Sequence, residues 1–85
     1  MTIRPVVTVE SCRAGIAARA REIGLACHGR DEERAMASIR VTLGIWARLL
    51  ATEGDLEGTL ARLGVLWDDA GAGLSVEPID SRVTA

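Results

Sequence analysis

The chain has no phenylalanine, no tyrosine and no lysine, and only two tryptophans, two prolines, two cysteines and one histidine in 85 residues. Without Phe or Tyr, the interior has to be built from Ala, Val, Ile and Leu around Trp46 and Trp67. That is a thin core for a chain whose surface-to-volume ratio already works against stability. It predicts self-association, as a homodimer or higher oligomer, as the way to bury more apolar area. Without Lys, all ten cationic residues are arginines, the side chain suited to bidentate contacts with carboxylates or phosphates. Twelve acidic residues bring the net charge to −2, which gives no whole-molecule attraction to nucleic acid or to an anionic membrane. Nucleic-acid binding is left to a local patch.

Residues 1–10 lack the basic start and apolar run of a signal peptide. No apolar stretch approaches the ~20 residues that a membrane span needs. With only two cysteines, the expectation is a cytoplasmic protein with reduced thiols and no membrane partner. A disulfide between neighbouring strands stays open.

What is present is pattern. Residues 6–10 are β-branched and extended, with Val7 and Val9 on one face and Thr8 and Glu10 on the other. Pro5 suits the first residue of a strand or an edge strand, where a missing N–H costs little. Gly15 can supply the positive φ of a tight hairpin. The next strand puts Ile16, Ala18 and Ala20 on one face and Ala17, Arg19 and Arg21 on the other. After a bend at Gly24, residues 25–28 make a third short strand. A helix over residues 31–52 follows, with Asp31 as N-cap, Glu32 and Glu33 in the first turn, and Ala35, Ile39, Leu43, Trp46 and Leu50 as its apolar stripe. The small Ala18 and Ala20 leave room for Trp46 above them. Asp55 caps a second, shorter helix that ends at Gly64. Residues 65–67 and 74–77 read as a final hairpin around a Gly-rich loop. The fold expected is α+β: a small antiparallel sheet with one long helix on one face, in the order β-β-β-α-α-β-β. Residues 1–79 form one domain and residues 80–85 a disordered tail.

The chemistry-bearing residues do not assemble into a catalytic set. Cys27 and His28 are adjacent on an extended strand and point to opposite faces, so they do not form a nucleophile–base pair. Cys12, Cys27 and His28 are three donors where structural zinc takes four. Glu32 and Glu33 diverge by roughly 100° around the helix, and capping accounts for them. Asp68-Asp69 lacks the alternating oxygen ligands and closing Glu of a calcium loop. Gly71-Ala72-Gly73 does not lead from a strand into a helix, as a phosphate loop does. The expectation is no enzyme, no metal and no cofactor. The arrangement left is Arg19 and Arg21 on one sheet face, with Arg13 and Arg4 near them. These can grip carboxylates of a partner or track phosphates. Without aromatics on that face, base stacking of the single-strand RNA kind is excluded there.

From Ile16 to Ala35 the chain reads IAARAREIGLACHGRDEERA. With Gly24, Gly29, Asp31, Glu33 and Ala35 in place and Trp46 at a helix position where an aromatic is common, this resembles the HicB-like antitoxin domain over about residues 5–50. The resemblance implies a β-β-β-α-β fold similar to a double-stranded RNA-binding domain. It also implies a role in binding and masking a small ribonuclease toxin, often as a dimer or higher oligomer. The family's Pro-Asp passage is replaced here by Arg21-Glu22-Ile23. Residues 55–64 do not form an added helix-turn-helix or ribbon-helix-helix segment, so operator binding is not implied. Arg13, Arg19 and Arg21 are the expected partner-binding residues, with RNA binding through the same face as the alternative.

Overall fold

A computed structural model describes residues 1–81. The element order is β1 (Thr2–Arg4), β2 (Val6–Cys12), β3 (Gly15–Ala20), β4 (Leu25–Gly29), α1 (Glu32–Glu53), α2 (Leu56–Leu63), β5 (Leu66–Asp68), β6 (Ser75–Val76) and β7 (Ile79–Asp80). This is the expected α+β class, with the long helix on one face of the sheet.

β2 and β3 form a hairpin closed by the two-residue turn Arg13-Ala14, in the register Cys12↔Gly15, Glu10↔Ala17, Thr8↔Arg19. Gly15 has φ +132°, and a Cβ there would stand 2.5 Å from the Gly29 carbonyl oxygen. Only glycine fits both conditions. β4 pairs with the outer side of β3, Ala18 opposite Cys27. α1 then crosses back over β3 and β4. The Asp31 carboxylate accepts from the Arg34 N–H at 2.8 Å, and the helix runs to Gly54 as its periodicity predicts. Its stripe Ala35, Ile39, Leu43 and Ala47 is fully buried.

β1 was not visible in the sequence, and it reorganises the C-terminal half. β5 and β6 do not pair with each other as the expected hairpin; they flank β1, β5 antiparallel and β6 parallel. The reason is that Ile3 and its neighbours offer a hydrogen-bonding edge to each strand, and the loop between them is tied to the same segment, Thr2 Oγ1 donating to the Ala70 carbonyl at 2.8 Å and the Met1 amino group to the Gly73 carbonyl at 2.9 Å. Of the two places expected for Pro5, the structure shows the start of a strand, directly before Val6 of β2, and not an edge. It sits fully buried at the junction between β1 and β2. The N–H groups of Ser75, Glu77, Ile79 and Ser81 donate to the carbonyls of Met1, Ile3, Pro5 and Val7 in turn. Pro5 has no N–H to return, which splits this otherwise continuous parallel ladder into β6 and β7. Asp80, expected in the tail, therefore belongs to β7, and Ser81 just beyond it donates its N–H to the Val7 carbonyl. Residues 82–85 of that tail lie outside the described residues.

Two buried clusters result. One lies under the N-terminal half of α1, with Val7, Ala18, Ala20, Ala35, Ile39 and Leu43. The other surrounds its C-terminal half, with Ile3, Ala47, Leu56, Leu60 and Val65. Trp46 packs in the second and not over Ala18 and Ala20, because its position on α1 faces β1 and α2.

Candidate interaction surface

One face of the sheet is covered by α1 and the other is open. Alternation along β2 sends Val7 and Val9 to the helix, and Thr8 and Glu10 outward, as the sequence predicts. Register places Ala17 and Arg19 of β3, Ala26 and His28 of β4, and Leu66 and Asp68 of β5 on the same open side. Ala17 is buried yet belongs to neither core cluster; it lies between Glu10 and His28 in register.

Charges on this face are largely matched. Arg19 Nε donates to the Glu10 carboxylate across the hairpin. Arg4 Nε donates to Asp68 Oδ2 at 2.9 Å, tying β1 to β5. The Asp68 carboxyl is held below its usual pKa, first by the Ala70 N–H at 2.9 Å and then by the Arg4 guanidinium. Both pairs are about half exposed, so each adds little to stability and more to local shape. Thr8 Oγ1, in register with Arg19, is buried without a hydrogen-bond partner among the described residues. Glu22, in the turn after β3, accepts the Val6 N–H at 3.1 Å and fills the gap where β3 ends and β5 has not begun.

The three arginines singled out in the sequence are not one patch. Arg19 and Arg21 line a shallow hollow of about 240 Å³ with Ala20, Gly24, Leu25 and Ala26. Arg13 lies in the β2–β3 turn, at the far end of β3. Arg19 is already neutralised by Glu10, a pairing that the hairpin register foreshadows, since both residues fall on one face two positions apart. Apolar side chains are interspersed: Val6 is exposed, and so is Leu66, at 67%.

Cys12 falls on the open face and Cys27 on the helix-facing side; both thiols are free. Among the described residues no three His, Cys, Asp or Glu side chains cluster as metal donors, and no helix is long and apolar enough to cross a membrane. No family model matches the chain, and no curated protein or solved structure is significantly similar to it.

Proposed function

We propose that the chain is a non-enzymatic, cytoplasmic protein-interaction module of HicB-like antitoxin type. It binds and masks a small partner protein, a ribonuclease toxin in the family it resembles, and it associates with itself. The observation that carries the reading is the uncovered sheet face, where Val6 and Leu66 lie exposed among arginine–carboxylate pairs. A mixed apolar and charged face on a rigid sheet, with arginines among its polar groups, has the composition of a protein-binding surface. Arg13, in the β2–β3 turn, and Arg19 and Arg21, near the other end of β3, border it at opposite ends.

Co-expression with the product of the neighbouring gene tests this directly. The expected outcome is a stable complex that survives gel filtration and loses its toxin's activity. Retention of full activity, with no co-elution, sinks the masking role. The RNA-binding alternative rests on Arg13 and Arg21, since Arg19 and Arg4 already have carboxylate partners. Retardation of duplex RNA in a low-salt gel shift, abolished by Arg21→Ala, is what that alternative requires.

A further inference from the structure

The outer edges of the sheet are finished differently. On one side the edge is the chain from β6 to β7, where the N–H groups of residues 75, 77, 79 and 81 point inward and Pro78 falls at an outward position. A proline there removes a donor and blunts the edge against further strands. The opposite side ends on two strands: the three-residue β5, which carries Asp68 in its ion pair with Arg4, and β4, with the sequence Leu25-Ala26-Cys27-His28-Gly29. β4 carries no proline and no Lys, Arg, Asp or Glu.

We infer that β4 is an assembly edge: a second copy of this chain pairs with it antiparallel, about a dyad at Cys27, joining two sheets into one and seating the two α1 helices side by side. This rests on the self-association in the functional reading above and adds the surface that performs it.

Three features carry it. The first is register. The two-residue turn makes Cys12 and Gly15 the hydrogen-bonded pair that closes the β2–β3 hairpin, and pairing types alternate from there. Ile16, Ala18 and Ala20 then use their backbone groups on β4, taking those of Gly29, Cys27 and Leu25. Ala26 and His28 are left aiming their N–H and C=O groups outward. In a dyad at Cys27, Ala26 of one copy meets His28 of the other, and these backbone groups satisfy each other.

The second feature is the helix. Thr42 Oγ1 lies 3.3 Å from Cys27 Sγ, which fixes the side of α1 above β4. Ala47, on the opposite flank of the buried stripe, packs with Ile3 of β1. At about 100° per residue, Ser38, Ile45 and Leu49 come next beyond Thr42, and so overhang the free edge, with Val41 above them. Val41, Ile45 and Leu49 are 64, 57 and 55% exposed, an unusual state for three large aliphatics on one helix.

The third feature is charge and spacing. Arg40 lies on the opposite flank, while Arg34, beside Asp31, and Arg48, in one hollow with Val41 and Ile45, border the strip on its solvent side, so Ser38, Ile45 and Leu49 are its uncharged part. Strands sit about 4.8 Å apart, so a helix seated over β3 and β4 lies about 5 Å from the dyad, and the two helices about 10 Å apart. Packed helices lie 8–10 Å apart. An uncharged, self-complementary edge beneath the strip of Ser38, Ile45 and Leu49 fits a second copy better than a charged partner.

Sedimentation equilibrium on the full chain tests the inference, with far-UV circular dichroism confirming that each variant is folded. Wild type is expected to be a dimer. The double variant Ile45→Glu, Leu49→Glu changes only exposed side chains, and is expected to weaken self-association by about thirtyfold or more. Ala26→Pro, which removes an outward N–H, is expected to do the same. Arg40→Glu, on the other flank, should leave the dimer intact. A dimer indifferent to both the double variant and Ala26→Pro overturns this surface while leaving self-association standing. A wild-type chain that stays monomeric at the highest soluble concentration overturns both.

Discussion

The two halves of the interior are made of different material. Under the start of α1, four of the six buried positions are alanine or valine: Val7, Ala18, Ala20 and Ala35, with Ile39 and Leu43. Around the end of α1 three of the five buried residues are larger, Ile3, Leu56 and Leu60, with Val65 and Ala47, and they are ringed by Met1, Trp46, Leu50 and Leu74. The first half is held by close approach of helix to sheet. Gly29 belongs to that approach, since a Cβ on it would lie 2.5 Å from the Ala35 backbone nitrogen. The second half is held by filling volume. Small-residue contacts fail when something is enlarged, and large-residue contacts when something is removed.

Truncation and enlargement therefore separate the halves. Leu60→Ala, in the second cluster, is expected to cost about 2–5 kcal/mol, because Leu60 is fully buried and its neighbours come from both chain ends. Urea unfolding followed by circular dichroism measures it, and a loss below about 1 kcal/mol would mean that this cluster is loosely packed. Ala18→Leu, in the first cluster, is expected to cost about 1–3 kcal/mol by forcing α1 off the sheet. A neutral or stabilising result would show that the close approach is not needed.

Capping sharpens the comparison further. Asp55 accepts the Gly58 N–H at 3.0 Å at the start of α2, an element of eight residues including Gly58. Asp55→Ala is expected to cost about 1 kcal/mol. Tryptophan fluorescence should register it along with circular dichroism, since Trp46 lies in the same cluster. Diverging melting curves would show that the halves unfold separately. The smallest effect concerns pH. The Asp68 carboxyl has a folded pKa below its unfolded one, so its contribution is present above the unfolded value and lost as pH falls through the folded value. Asp68→Asn should flatten the acid limb of the melting-temperature profile slightly; an unchanged profile would mean that the Arg4 and Ala70 contacts do not persist in solution.

The same division explains what the sequence could reveal. The first half is local. The 3.6-residue period of α1, its cap at Asp31 and the alternation from Val7 through Ala20 are readable because each partner lies within a few dozen residues. The second half is assembled from distant pieces. Thr2 hydrogen-bonds with Ser75, 73 residues away, and three residues before a proline give no periodic signal for β1. With β1 unseen, residues 65–67 and 74–77 had only each other to pair with. The arginine-bearing face was readable from alternation at Arg19. That Glu10 would neutralise it required the hairpin register, and that Arg13 would lie apart from Arg21 required the strand's length.

Pro5 and the parallel ladder beside it also set an order of events during synthesis. β1 leaves the ribosome long before β5, β6 and β7 exist to flank it, whereas the hairpin, β4 and α1 emerge in immediate succession. The region around Ile3 must wait with its apolar side chains unsatisfied until translation has passed Ser75. A nascent chain stalled before that point should hold a helix on a three-stranded ribbon, with a sticky leading segment that invites chaperones.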